Sequence, residues 1–434
     1  MKLSQLVDQR VLVWGGAREG RASAGILRRQ GCTVAFVSDS PDDDAPTLAA
    51  SLEMDLPVIP TASIQDWDPD FIVRSPGVSK YREELSSVPS SGLLALWLAD
   101  QRPSRIIGVT GTKGKSTTST LITTILRQAG HSVELAGNIG RVVTDVDDSA
   151  EFVVVEVSSY QASDCTTSPA IGVLTTLGDD HIPWHGSLQR YHEDKTNLFA
   201  HPELRHMVFH ASDAVVSAQV ERLGIGALRF DNSRHSVNIA LATPEGEAAL
   251  ARMGGTTFPR NLELAMNAAL AADGSLVLAH VLSALQETVP LPSRQQLVST
   301  AHNRQFIDDA LASNPLGVIA AIERFDVSPF VLIMGGNDRN VEYDDLCAAV
   351  NRSSNLRGVF VLGGTSSRLY SALLTTRCPV TPVASDDVHD AVFPAFEASR
   401  PGDAIVFSPG APTPRHLGDY ETRSARFRDA IDSL

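Results

Sequence analysis

The stretch Ile106-Ile-Gly-Val-Thr-Gly-Thr-Lys-Gly-Lys-Ser-Thr-Thr118 runs apolar β-formers into glycines, a lysine and hydroxyls, and that order leaves few folds open. Ile106, Ile107 and Val109 read as a buried strand, and Lys115-Ser116-Thr117 opens a helix-like stretch through Leu126. A strand, a glycine-rich turn and a helix N-terminus make an anion cradle, because main-chain amides and the helix dipole converge on one point. Gly111 and Gly114, flanking Thr112 and Lys113, let the backbone approach phosphate oxygens. Lys115 reaches the β- and γ-phosphates, Ser116 offers its hydroxyl to Mg2+, and Thr117 follows in the first turn. Where the general phosphate loop has a glycine, five positions before Gly114, this chain has Val109, so the loop is of the shorter T-G-T-x-G-K-[ST] kind. A Gly/Thr surface turn before an ordinary helix is the competing reading, and the order strand, glycines, lysine, serine disfavours it.

A chain of 434 residues is too long for one ordinary domain, and 43% hydrophobic with 20% charged residues is the composition of a globular protein. The net charge of −15 argues against a general nucleic-acid binder, although a small anionic ligand needs only a local positive pocket. MKLSQLVDQR has no apolar signal core, and no apolar run reaches membrane-spanning length. Cys32, Cys165, Cys347 and Cys378 form no CxxC pair and read as reduced thiols of a cytoplasmic protein.

Residues 1–95 read as a first α/β domain. Val11–Trp14, the turn Gly15-Gly-Ala-Arg-Glu-Gly20, a helix to Gln30 and the strand Thr33–Val37 make a βαβ unit with a nucleotide-binding flavour. Ala17 stands in place of the middle glycine of G-x-G-x-x-G, so a purely structural turn is nearly as good a reading. Asp39 at the second strand's end is placed to hold a ribose or base edge. Ser75-Pro-Gly77, after the strand from Phe71, would bring amides to a ligand at the C-terminal edge of the sheet.

Residues 96–285 read as a central domain. Gly137 and Gly140 bracket Asn138, which suits an amide presented from a tight turn. Glu156 interrupts the apolar run Phe152–Val157; a buried carboxylate is costly unless paired or metal-bound, and after a phosphate-loop strand it is a Mg2+ ligand candidate. The alternative is a strand-end glutamate paired with a nearby Lys or Arg. His181 follows the apolar strand Ile171–Leu177 at its ligand-facing end, although a lone histidine is more often structural. Helical spacing puts Tyr191 and Lys195 on one face, and by spacing alone Lys195 is a solvent lysine. Residues 286–434, entered through Val289-Pro-Leu-Pro-Ser-Arg294, alternate strands and helices as a further α/β unit.

T-G-T-K-G-K-S-T, G-N-I-G, E-V-S-S-Y-Q, D-D-H and Y-H-E-D-K occur in the order and approximate spacing of the Mur ligases of peptidoglycan synthesis, and the chain resembles the glutamate-adding branch of that family. The resemblance covers essentially the whole chain and is densest from Ile106 to Lys195. It implies an α/β fold of three domains: an N-terminal Rossmann-like UDP-binding domain, a central phosphate-loop ATPase domain and a C-terminal Rossmann-like domain that takes glutamate. It further implies that Lys115 and the loop amides bind ATP, and that Ser116 and Glu156 hold one Mg2+. His181 and a carbamylated Lys195 would hold a second Mg2+. Asn138, Ser159 and Gln161 would contact UDP-N-acetylmuramoyl-L-alanine, with Asp39 and Ser40 near its uracil. Asn261 would lie near adenine, in a segment where Phe258 takes the place of the family's first asparagine.

In the last region the similarity is looser. Arg294 of Pro-Ser-Arg matches a family phosphate-binding arginine, and Asp309 and Ser313 fall in a D-S-K-A-T-N-like stretch where Leu311 replaces the family lysine. Gly335-Gly-Asn-Asp-Arg339 carries Arg for Lys, and Thr413 and Tyr420 match glutamate-contacting segments. Glutamate brings two carboxylates; Arg339 can pair one bidentately, and Ser313, Thr413 and Tyr420 add hydrogen bonds. Losing the lysine at Leu311 argues against standard D-glutamate geometry. Lys113, Trp-His-Gly-Ser187 and the Arg339 segment look similar to enzymes that add L-glutamate and rely on a separate epimerase, so the two isomers stand about even. The alternatives are a Mur-like or folylpolyglutamate-synthase-like ligase with another acceptor, a homologue that binds nucleotide without ligating, and a dinucleotide-dependent dehydrogenase resting on the N-terminal glycines alone.

Overall fold

Short apolar runs alternate with amphipathic stretches, and the chain folds them into three predominantly parallel sheets. The computed structural model describes residues 1–224, 229–230, 234–253, 257–338 and 341–434. The first sheet has β1 (Arg10–Trp14), β2 (Thr33–Ser38), β3 (Val58–Pro60), β4 (Phe71–Arg74) and β5 (Ser90–Gly92) in the order β3-β2-β1-β4-β5, with every pair parallel. The order reverses at β1, so the turns after β1, β2 and β4 meet at one edge, the usual ligand position in an open α/β sheet.

The second sheet has β6 (Ile106–Thr110), β7 (Val133–Gly137), β8 (Phe152–Glu156), β9 (Ile171–Leu174), β10 (His206–Phe209) and β11 (Arg229–Phe230) in the order β11-β10-β9-β6-β8-β7, again all parallel. The phosphate-loop strand β6 lies between β8 and β9. β8 ends at Glu156, so this carboxylate terminates its strand where the sequence had it interrupting one. The third sheet has β12 (Gln296–Ala301), β13 (Arg304–Asp308), β14 (Phe330–Met334), β15 (Leu356–Leu362), β16 (Val380–Val383) and β17 (Ala404–Phe407) in the order β12-β13-β17-β14-β15-β16, with β12 antiparallel to β13.

These sheets fall into two compact units. Met1–Ala248 with Thr257–Glu287 carries the first two sheets, and Ala249–Thr256 with Thr288–Leu434 carries the third. One continuous apolar core joins the first two, running from Val11, Val34 and Phe71 to Ile106, Val153 and Met207. The helix Leu93–Asp100 belongs to that core; Leu93–Leu98 are all buried, and a helix apolar on every face can only sit inside. In the second unit both faces of the sheet are covered, with Leu332 and Val406 packing to one side and Val331, Ile333 and Phe407 to the other. All four cysteines are free thiols. Among the described residues no helix is long and apolar enough to cross a membrane.

Candidate active site

After Thr110 the backbone turns through Gly111 (φ +149°) and Gly114 (φ +86°), and the helix Lys115–Gln128 begins. Glycine is required at both turns by conformation and by space. A Cβ on Gly111 would stand 1.9 Å from Thr175 Oγ1, and one on Gly114 would stand 2.5 Å from Asn261 Oδ1. The helix therefore starts on a residue with no side chain to cap its amides, which suits an external anion. The segment after β9 braces the loop: Thr112 N donates to Thr176 O (2.8 Å) and Lys113 N to Thr176 Oγ1 (2.9 Å). Lys115 Nζ folds onto the carbonyls of Gly111 (2.9 Å) and Thr112 (3.3 Å). Ser116 is buried, Thr117 follows it in the first helical turn, and Lys113 is exposed.

Glu156 is fully buried beside this loop, in register with Val109 of β6. Its Oε1 accepts from Asn138 Nδ2 (2.7 Å), while Oε2 has no hydrogen-bond partner. An orphaned, buried carboxylate oxygen next to a phosphate loop suits a hard cation, so the residues present fit Mg2+. His181 sits at φ +54°, partly exposed, with its ring 4.8 Å from that of Tyr160. Among the described residues, no group of three or more His, Cys, Asp or Glu gathers as a metal-holding cluster by itself.

Lys195 departs from its spacing-based expectation. It is 2% exposed, with Nζ 3.1 Å from Gly111 O and 4.7 Å from the centre of the Tyr191 ring, on the shared face the spacing predicted. Packing of the helix Leu188–Thr196 onto the phosphate loop overrides the polar character of its sequence. Burial, reinforced by the nearby Lys115 charge, holds the Lys195 ammonium well below the ordinary lysine pKa.

The residues that the resemblance matches to substrate contacts are engaged with protein partners. Asn138 holds Glu156, and Ser159 Oγ lies 3.0 Å from His185 Nε2. Gln161 accepts from Ser158 N (2.9 Å) in a capping box, and its amide donates to Glu19. Glu19 lies in the first turn of the helix Arg18–Arg29, which starts inside the stretch read from sequence as a turn; burial pushes its carboxyl up to about 7, against the lowering effect of Gln161. Its neighbour Arg18 donates to Gly137 O (2.8 Å) and Gly140 O (3.2 Å), clamping the turn that presents Asn138. At the edge of the first sheet, exposed Asp39 pairs with Arg82 (2.8 Å), and Ser40 beside it is exposed. Ser75 Oγ donates to Gly15 O (3.0 Å), and Gly77 has open space around it. Asn261 is buried beside Gly114; Asn267, further along the same helix, is buried with Oδ1 unpartnered.

In the second unit, Asp309 is buried, accepts from Ser408 Oγ (2.7 Å) and Gln295 N (3.1 Å), and is pushed up to about 7 by burial. Arg294 is half-buried and charge-coupled to it. Ser313, Thr413 and Tyr420 follow β13 and β17; Ser313 is exposed, and Tyr420 donates to Glu421 (3.0 Å). Arg339 lies outside the described residues. Sequence reasoning passed over Arg423, which is 2% exposed and donates to the carbonyls of Ala411 (2.9 Å), Ala310 (3.3 Å) and Gly335 (3.4 Å), tying together the loops after β17, β13 and β14. It also passed over Arg18, Glu19, His185 and Asp194; Arg18 and Glu19 stand out only as charges in a glycine-rich turn, whereas Asp194 lies in the polar run of residues 189–195 and nothing local marks it as buried.

Comparison with known proteins matches residues 109–258 to the Mur ligase middle domain. The chain is 32% identical to the UDP-N-acetylmuramoyl-L-alanine--L-glutamate ligase of Micromonospora sp., covering 99% of this chain and 98% of the relative. It is 30% identical to the enzyme of the same name from Xanthomonas euvesicatoria pv. vesicatoria, over 98% and 96%. It is 28% identical to the UDP-N-acetylmuramoylalanine--D-glutamate ligase of Shouchella clausii, over 100% and 99%. A solved pseudomurein peptide ligase type C from Methanothermus fervidus shares the fold, with a TM-score of 0.54 at 14% identity over 98% of this chain and 99% of that one.

Proposed function

The chain belongs to the Mur ligase family, and we propose that it joins L-glutamate to UDP-N-acetylmuramoyl-L-alanine with cleavage of ATP to ADP and phosphate, in peptidoglycan precursor synthesis. The observation that carries this reading is the convergence of Lys115, the orphaned Glu156 oxygen and the buried Lys195 on one glycine-built phosphate loop. The choice of L-glutamate rests on the two more similar relatives, both named for that isomer, and on Leu311 in place of the family lysine.

The substrate carboxylate attacks the γ-phosphorus in line; a new O–P bond forms, the bond to the β-phosphate oxygen breaks, and ADP leaves. The glutamate nitrogen then attacks the acyl phosphate carbonyl, an N–C bond forms, phosphate departs and a proton is lost. Lys115 and the first amides of the helix Lys115–Gln128 hold phosphate oxygens as negative charge shifts among them. Ser116 and Glu156 would hold one Mg2+, and His181 with carbamylated Lys195 a second; when bound, such ions neutralise phosphate charge. The neutral amine is the form that condenses with CO2, and burial beside Lys115 shifts Lys195 toward that form, which supports the carbamate there. Asn138, Ser159 and Gln161 orient the muramoyl-alanine end, while Asp39, Ser40, Ser75 and Gly77 take the UDP end. ATP is further held by Asn261, Arg294 and Asp309, and glutamate by Ser313, Arg339, Thr413 and Tyr420. Catalysis rests on positioning and electrostatics. The protein works in the cytoplasm, where the nucleotide substrates are, and an epimerase acts on its product to set the D configuration.

Phosphate release with ATP, Mg2+ and UDP-N-acetylmuramoyl-L-alanine, run separately with each glutamate isomer, tests the reading. Turnover with L-glutamate alone is expected. Turnover with D-glutamate alone overturns the isomer and removes the epimerase, and turnover with neither overturns the ligase reading.

A further inference from the structure

Ser159, His185 and Asp194 form one buried hydrogen-bonded file. Ser159 Oγ lies 3.0 Å from His185 Nε2, and His185 Nδ1 lies 2.7 Å from Asp194 Oδ2. Their exposures are 2%, 0% and 5%, so none of these contacts is diluted by solvent. The imidazole is fixed on its faces and edges: its ring centre is 4.4 Å from that of Trp184, 5.2 Å from Tyr191 and 5.6 Å from Tyr160, which stacks on it.

Asp194 is the anchor. Besides His185 it takes the Tyr81 hydroxyl at 2.8 Å and the Lys80 ammonium at 3.2 Å, both from the first sheet's substrate-side loop. Lys80 also donates to Ser163 O (2.8 Å), and Tyr81 is held edge-on by Trp184. The carboxylate is therefore an acceptor on every side, with its charge already met by Lys80. Its histidine partner must present a proton at Nδ1, and in the Nδ1–H tautomer Nε2 is an acceptor. The Ser159 hydroxyl proton then points at His185, and only the Ser159 lone pairs face away from the file.

We propose that His185, oriented by Asp194, is a positioning residue that makes Ser159 an obligate hydrogen-bond acceptor, so that the site selects acyl substrates carrying an amide N–H next to the reacting carboxylate. The same residue types in this order activate a nucleophile in hydrolases. Here Asp194 is shared with Lys80 and Tyr81, and a buried serine with a committed proton suits orientation instead. The inference rests on the reading that Ser159 meets muramoyl-alanine, and it adds which partner Ser159 accepts from. It also makes Lys80 and Tyr81 a direct physical link from the UDP-binding side to the alanine-binding serine.

The test compares kcat/KM for UDP-N-acetylmuramoyl-L-alanine with that for the analogue bearing L-lactate in place of L-alanine, whose ester oxygen replaces the N–H. The parent enzyme should prefer the amide by roughly ten- to a hundredfold, the size of leaving one buried acceptor unpaired. Ser159→Ala and His185→Phe should each reduce that preference by about tenfold, with KM for ATP unchanged. His185→Gln, which keeps an acceptor near the Nε2 position, should retain most of it. The double variant Ser159→Ala/His185→Phe should lose no more than Ser159→Ala alone, because His185 acts through Ser159. A preference untouched by His185→Phe and His185→Gln, or losses that multiply in the double variant, would overturn the proposal. Nitrogen-15 NMR of the histidines in the resting protein gives an arm that needs no turnover: Nδ1 protonated and Nε2 bare is expected, and a proton on Nε2 overturns it. If the parent fails on the alanyl substrate, the ligase reading fails while the NMR result still decides the proton order.

Discussion

Arg74 and Asp164 make a buried ion pair whose removal has a calculable consequence. Arg74 Nη2 donates to both oxygens of Asp164 at 2.6 Å, and the two side chains are 2% and 8% exposed. Asp164 receives one further donor, Gly92 N at 2.9 Å, and Arg74 also donates to Ser90 Oγ (3.2 Å) and Val78 O (3.0 Å). Arg74→Met leaves a buried carboxylate with one neutral donor, which costs about 3–5 kcal/mol. Domains are stable by only about 5–15 kcal/mol, so this is a large share. With a urea slope near ~3 kcal/mol/M, the midpoint falls by roughly 1–1.7 M. Trp14 and Trp97 are buried in the first hundred residues, so tryptophan fluorescence during urea unfolding reports on this region. Asp164→Leu alone should cost a similar amount, and Arg74→Met/Asp164→Leu should recover most of the loss, to within about 1–2 kcal/mol of the parent, because no charge is then buried without its partner and only the neutral groups Gly92 N, Ser90 Oγ and Val78 O lose a contact. Arg74 also tethers the loop after Ser75, so KM for the UDP-linked substrate should rise in the single variant. An Arg74→Met loss under about 1 kcal/mol, or a double variant as weak as the sum of the singles, would refute the reasoning.

Lys115→Ala should lower phosphate release by at least about a hundredfold, the usual effect of removing one charge-stabilising donor, while circular dichroism stays that of the parent. Lys195→Met should abolish turnover yet leave the resting protein at least as stable in thermal melts, since a buried amine with its pKa depressed is a cost to the fold. The unfolded chain holds the Lys195 proton more tightly, so this advantage should shrink as pH rises toward 10.5. Glu19 is the opposite case: the folded state keeps its proton up to about 7 while the unfolded state loses it near 4.5. Its contribution is therefore most favourable below pH 4.5, declines through that window and is flat above it. Glu19→Gln should gain on the parent in urea melts between pH 5 and pH 8, and a difference independent of pH would count against the buried-carboxyl account.

How much of this was legible in the sequence follows the distance over which each contact acts. The phosphate loop was readable because β6, its glycines, Lys115 and Ser116 are contiguous, and each tells the same local story. Glu156 stood out as a charge at the end of an apolar run. Lys195 shows the limit of a local rule: spacing aligned it with Tyr191 correctly and misjudged its exposure, because burial is decided by how the helix Leu188–Thr196 docks. The contacts of Glu19 with Gln161 and of Arg74 with Asp164 span 142 and 90 positions, and no periodicity encodes such a pairing. The third strand of the first sheet, β3, was not singled out either, since three residues with a proline carry little pattern.

The buried ionisable groups around the phosphate loop have a common physical character, whether or not local rules found them. Glu19, Glu156 and Lys195 are ionisable, withdrawn from water and short of full partners, and all gather where the ends of β1, β6 and β8 meet their loops. A fold selected for stability alone would replace them with apolar residues of similar volume. Their retention is intelligible if the missing partners arrive with the ligands: a cation for the free Glu156 oxygen, carbon dioxide for the buried Lys195 amine, and a hydrogen-bonding acyl group that draws Gln161 away from Glu19. Each binding event then relieves a cost that these buried groups carry on their own. Nucleotide and Mg2+ added together should accordingly raise the melting temperature more than the sum of either alone, because each completes a set of contacts the other leaves unfinished.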